Sequence, residues 1–83
     1  MDYQVLSQRI GSQIREMRRN RGLKQADLAR IAGVTRQKLI EIEKGSTSVA
    51  MNAYARVLGT LDCEVKLVPA ALPTLDEVQD LFN

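Results

Sequence analysis

The sequence predicts an all-α fold, a small bundle of short helices with one β-strand near its C-terminal end. Three observations carry this expectation. Apolar residues recur at three- and four-residue spacing in separate stretches between residues 7 and 58. Gly22, Gly33 and Gly45 punctuate the ends of those stretches. Over 62–68 alone the pattern changes to strict alternation. With 83 residues the chain is long enough for one small domain, expected over 1–71, followed by a tail over 72–83. A domain of that size buries a modest core, for which a partner subunit would be a natural supplement.

The first helix is expected over 7–20. Ser7 is its candidate N-cap, Ile10, Ile14 and Met17 share one face, and Gly22 stops it. The second is expected over 25–32, with Leu28 and Ala29 facing inward and Gly33 as the stop. The third follows Thr35, whose hydroxyl can cap it. Leu39 and Ile42 form its inward side, and Gly45 ends it. "STS" (46–48) reads as a loop, with Ser48 capping a fourth helix over 49–58 on which Met51, Tyr54, Ala55 and Leu58 follow the helical period.

"LDCEVKLVP" then puts Cys63, Val65 and Leu67 on one side and Asp62, Glu64 and Lys66 on the other, up to Pro69. A lone strand leaves its backbone groups unpaired and its apolar face bare. The economical remedy is the same strand of a second copy, paired antiparallel across a two-fold axis, which predicts a homodimer with Cys63, Val65 and Leu67 in its interface. The alternative partner strand is residues 2–6. Beyond the "AALP" linker, Thr74-x-x-Glu77 has the form of a capping box, with Leu75, Val78 and Phe82 able to share a face. That segment is either a short terminal helix or a mobile tail that orders on a protein partner.

Composition narrows the function classes. Histidine and tryptophan are absent and Cys63 stands alone, so an internal disulfide is impossible and a Cys/His zinc site has no ligands. Cys63 is expected to act as a small buried hydrophobe. No phosphate-cradling glycine loop and no nucleophile with an evident base occur, which argues against an enzyme and against a cofactor. The first ten residues lack a basic segment followed by an apolar run, and no stretch has the length of a membrane span. The expected setting is cytoplasmic. Charge is uneven: residues 1–44 hold ten Lys/Arg against five Asp/Glu, while 45–83 hold two against five. A basic front suits a polyanion, although solvated helix faces would give the same count.

Residues 25–44 form a helix-turn-helix. Ala29 is small where the two helices cross, Gly33 opens the turn, and Val34, Leu39 and Ile42 pin the second helix to the core. Its outward face starts with Thr35, Arg36, Gln37 and Lys38 and continues to Ile40, Glu41 and Lys44. Acidic residues would favour the start of an isolated helix, but they would repel a phosphate-lined groove. A recognition helix that enters the DNA major groove N-terminus first suits basic and amide side chains there. Arg36 can donate twice to guanine O6 and N7, and Gln37 can pair bidentately with adenine N6 and N7. Lys38 and Lys44 suit phosphates, as does Ser48 at the start of the fourth helix, with Ser46 as a further candidate. Gln25 should sit over the backbone and brace the first recognition side chain. Glu41 either accepts from cytosine N4 or is solvated, and Ile40 either touches a thymine methyl or turns inward.

"LKQADLARIAGVTRQKLIEIEKG", followed by "YARVLG", resembles the Cro/phage-repressor (XRE-type) helix-turn-helix proteins. Leu23, Gln25, Leu28, Ala29, Gly33, Val34, Leu39, Ile42, Glu43, Gly45 and Leu58-Gly59 carry the likeness over about residues 10–60, within a family core of about 14–68. The resemblance implies a lambda-repressor-like bundle of about five short helices that binds palindromic operators, with Gln25, Arg36, Gln37 and Glu41 at the DNA. Residues 48–58 followed by "TLDCEVKLVPA" look like HipB-type antitoxins, in which a strand after the fourth helix builds a lid between subunits. That likeness implies a HipA-type Ser/Thr kinase toxin as partner and repression of the protein's own operon. Lys24 departs from the capping Ser or Thr frequent in the family, and Ile40 stands at a position that is often small or polar. The expected function is a dimeric, sequence-specific repressor on an inverted-repeat operator. The alternatives are a module whose main role is to bind and neutralise a partner enzyme, and a stand-alone phage-type regulator.

Overall fold

A computed structural model describes residues 1–69. Four helices follow in order: α1 (Tyr3–Asn20), α2 (Gln25–Ala32), α3 (Arg36–Glu43) and α4 (Met51–Thr60). The expected terminal helix lies outside the described residues.

α1 starts four residues before the expected position. Nothing in "YQVL" breaks a helix, and the Leu6 N–H already donates to the Asp2 carbonyl at 3.0 Å. Ser7 is therefore interior rather than a cap, and its hydroxyl donates back to the Tyr3 carbonyl at 2.9 Å. Because residues 3–6 are helical, they cannot serve as the alternative partner strand. Arg18 and Arg19 occupy the last turn, where cations complement the helix dipole.

The α2–α3 corner follows local rules closely. Gly33 ends α2 at φ 77°, a left-handed conformation that costs glycine little. The Val34 N–H then turns back to the Ala29 carbonyl at 3.0 Å. Thr35 caps α3 as expected, its Oγ1 accepting from the Lys38 N–H at 3.0 Å. At the start of α4 the expected cap is displaced. Ala50 holds the N-cap position without a side-chain bond, and the Ser48 hydroxyl shares a hydrogen bond with that of Ser46 at 3.0 Å.

The core is built from Ile14, Leu28, Ala29, Ala32, Leu39, Ile42, Ala53, Val57 and Leu61. α2 packs on α3 and α4, and α1 lies along α3. Gly11 and Gly45 bring α1 unusually near the end of α3. A Cβ on Gly11 would lie 2.5 Å from the Ile42 carbonyl oxygen, and one on Gly45 would lie 2.6 Å from the Gln8 Cα. α4 turns a different face inward from the one expected. Ala53 and Val57 are buried, Tyr54 and Leu58 lie at the edge, and Met51 is 75% exposed. Apolar residues surround most of this helix, so two registers fit the helical period, and packing against α2 selects one. Met17 likewise stays at the surface of α1.

After α4, Asp62 adopts φ 56° and closes a turn. Residues 63–69 carry neither helix nor strand, in contrast to the strand expected over 62–68. Backbone pairing needs a second edge, and the described residues of one chain supply none. Cys63 packs against the core, whereas Val65 and Leu67 are 65% and 95% exposed.

Candidate nucleic-acid interface

Leu39 and Ile42 are fully buried, which fixes the rotation of α3 about its axis. Everything on the opposite side then faces outward. Thr35, Arg36, Gln37 and Lys38 lie on that side, as does Lys44 after the last turn; all five are exposed. Glu41 and Ile40 are half-buried, with part of each in reach of solvent. The structure thus sets a guanidinium and an amide, on Arg36 and Gln37, at the very start of a short rigid helix. One of its first N–H groups is taken by the Thr35 cap. The others point the positive end of the helix in the same direction as the basic side chains. This end of the molecule can donate hydrogen bonds to acceptor-rich edges and attract anions.

Gln25 begins α2 beside this surface and is half-buried. Its Nε2 donates to Glu43 Oε1 at 3.2 Å, so its bracing partner is Glu43 rather than a residue at the start of α3. Glu43 is itself buried and paired with Arg18 of α1. Arg18 Nε donates to Oε2 at 2.7 Å and Nη2 to Oε1 at 3.1 Å, a bidentate arrangement. The third arm, Nη1, donates to the Leu23 carbonyl at 2.8 Å, tying the α1–α2 turn to the same carboxylate. Sequence reasoning placed Glu43 in a pattern without finding this partner. The available signal was positional: Arg18 follows the inward-facing Ile14 by four residues, and Glu43 follows the inward-facing Ile42 by one.

The loop that carries Ser48 is held by Tyr54, whose hydroxyl donates to the Ser46 carbonyl at 2.7 Å. Burial raises the Tyr54 phenol above a tyrosine's ordinary 10.0. Ser48 is exposed in that anchored loop. Cys63, Val65 and Leu67, the expected dimer residues, are not brought together into a sheet within one chain. Among the described residues no group of acidic or sulfur side chains could hold a metal ion, and no helix is long and apolar enough to cross a membrane.

Residues 9–68 match the helix-turn-helix domain family. The chain is also 30% identical over 59 residues to a protein of Sinorhizobium fredii (strain NBRC 101917 / NGR234) named as an uncharacterized HTH-type transcriptional regulator, y4mF. That match covers 71% of this chain and 78% of the relative.

Proposed function

The chain belongs to the helix-turn-helix domain family, and from that premise we propose that it is a sequence-specific DNA-binding transcriptional repressor. The observation that carries this reading is the combination on α3 of a locked inner face and an outer face that opens on Arg36, Gln37 and Lys38. Arg36 and Gln37 read bases from the major groove, while Lys38, Lys44, Gln25 and Ser48 bind the backbone. In this reading the chain carries no catalytic site and works in the cytoplasm, where its DNA is.

The repressor acts as a homodimer. The exposed, alternating Val65 and Leu67 support pairing of residues 62–68 between two copies. Two recognition helices then lie about 34 Å apart, facing an inverted repeat with half-sites roughly 10 bp apart. Repression follows from exclusion of polymerase at an overlapping promoter. The likeness of residues 48–71 to HipB-type antitoxins supports a finer assignment: antitoxin and autoregulator of an operon that also encodes a HipA-type Ser/Thr kinase toxin.

Fluorescence anisotropy on DNA from upstream of the protein's own gene, against scrambled DNA, tests the DNA-binding reading. Wild type prefers its own upstream DNA, and Arg36→Ala erases about 1–3 kcal/mol of that preference while still binding both DNAs. Equal, weak binding of wild type to both DNAs would sink the repressor and favour a module that holds a partner enzyme. Sedimentation of Leu67→Lys tests the dimer. The variant sediments as a monomer at concentrations where wild type is dimeric.

A further inference from the structure

The loop between α3 and α4 is held at both ends. Gly45 turns at φ 83° and lies against the α1 backbone at Gln8. The Ser46 N–H donates to the Glu41 carbonyl at 3.0 Å, which closes the end of α3. Val49 packs against the core at the other end. Thr47 and Ser48 stand exposed between these points. Among the described residues, Tyr54 is the one side chain outside the loop that bonds to its backbone, through the Ser46 carbonyl at 2.7 Å. The backbone of Ser46 is therefore tied to α3 through its N–H and to α4 through its carbonyl.

Ser46 passes that constraint on to Ser48. Its Oγ accepts from the Ser48 N–H at 3.2 Å and lies 3.0 Å from the Ser48 Oγ. Each hydroxyl carries one proton. When the Ser46 hydroxyl donates to Ser48 Oγ, the Ser48 proton is free to point out of the loop. That polarity suits an oxygen that only accepts, as a phosphate's does. The ring of Tyr54 packs against the core, a role that phenylalanine would fill equally well. Its oxygen alone reaches the loop. Burial raises the phenol above its ordinary value, so it remains a donor at neutral pH.

We propose that Tyr54 is a positioning residue of the DNA interface: by holding the Ser46 carbonyl, it aims the Ser48 hydroxyl at a DNA backbone phosphate. This rests on the DNA-binding reading above, in which Ser48 is a backbone contact. It adds a residue whose own hydroxyl bonds inside the protein.

The test is a double-mutant cycle read in DNA affinity. Fluorescence anisotropy at one salt concentration compares wild type, Tyr54→Phe, Ser48→Ala and the double variant, on upstream and on scrambled DNA. Ile14→Val, which removes a buried methyl group from α1, controls for a general loss of stability. Tyr54→Phe keeps the ring and Ser48 is exposed, so the variants should fold, as circular dichroism will verify. Ser48→Ala weakens binding about tenfold, the scale of one hydrogen bond to a charged group. Tyr54→Phe weakens it by about three- to tenfold, and by the same factor on both DNAs, because a backbone contact does not read sequence. The double variant binds no worse than Ser48→Ala, since both changes remove one contact. Ile14→Val keeps the wild-type affinity. Three results overturn the proposal: Tyr54→Phe lowers only the urea midpoint and leaves affinity unchanged, Ser48→Ala binds as wild type does, or the two factors multiply in the double variant. An equal loss of affinity in Ile14→Val also overturns it, because Tyr54 would then act through stability alone. The cycle can be completed on scrambled DNA, so a failure of operator preference leaves it readable. A wild type that binds neither DNA would sink the DNA-binding reading and this proposal together, and the wild-type arm alone would show it.

Discussion

Replacing Glu43 by leucine should be among the most damaging single changes available in this protein. The carboxylate accepts from Arg18 Nε at 2.7 Å, Arg18 Nη2 at 3.1 Å and Gln25 Nε2 at 3.2 Å. The side chains of Arg18 and Glu43 are only 10% and 3% exposed. After Glu43→Leu, the Arg18 guanidinium keeps its bond to the Leu23 carbonyl and loses its counter-charge. Breaking a buried pair from one side costs about 3–5 kcal/mol. A chain of this length is stable by roughly 4–12 kcal/mol, so the single variant loses a large share of its stability. The double variant Arg18→Met, Glu43→Leu removes both charges together and has far less to lose. It should recover to within about 1–2 kcal/mol of wild type, the remainder reflecting the unsatisfied Gln25 amide. Urea unfolding followed by far-UV circular dichroism, run as a double-mutant cycle, measures the coupling. A single variant that costs under about 1 kcal/mol, or a double variant that costs the sum of its two singles, would refute the reasoning, because the pair would then be screened rather than buried.

Other perturbations reach different parts of the fold. Gly11→Ala should lower the melting temperature more than Gly22→Ala. A methyl at position 11 meets three backbone atoms within 2.9 Å, whereas at position 22, at φ 67°, it meets open space and bears only the conformational cost of about 1 kcal/mol; equal losses would mean that α1 and α3 can part without cost. Thr35→Ala removes the acceptor of the Lys38 N–H and should cost about 0.5–2 kcal/mol in urea unfolding, with Thr35→Ser retaining most of it. Alkaline pH should reveal Tyr54. Its phenol is raised in the folded protein, so the unfolded chain gives up the proton first, and the associated stability is complete below about 10 and declines as pH rises through the folded value. The difference in unfolding free energy between wild type and Tyr54→Phe, followed over roughly pH 8 to 11, should shrink with rising pH; a constant difference would show that Tyr54 titrates as it does in the unfolded chain.

The helix-turn-helix was legible because its determinants are local. Gly33 and Thr35 act on hydrogen bonds within a few residues of themselves, and both do in the structure what their chemistry predicts. The start of α1 and the cap of α4 were harder to read. Serine serves as a cap or as an interior residue depending on whether the chain before it is already helical, and at Ser7 it is. The inward face of α4 was ambiguous for a related reason. Its apolar residues cover more than half of the helix circumference, so periodicity permits two rotations. Among the candidate site residues, the exposure of Arg36, Gln37, Lys38 and Lys44 agrees with an outward face. Gln25 begins α2 as expected, but it pairs with Glu43 rather than with a residue at the start of α3.

By itself the sequence determined where the chain turns, which helix ends are capped at the α2–α3 corner, and that α3 shows a basic, amide-rich start to solvent. These depend on residues separated by one turn or less, whose preferences hold in any surroundings. Only the tertiary structure decided that Arg18 and Glu43, 25 positions apart, neutralise each other beneath Gln25. The same is true of the close approach of Gly11 to the backbone of α3 and of the gathering of Arg15, Arg19, Lys24 and Arg36 around one cleft. Such pairings join helices whose separate sequences carry no record of their relative rotation. They are set when Ile14, Leu28, Leu39, Ile42 and Val57 close on one another and leave each helix one way to face.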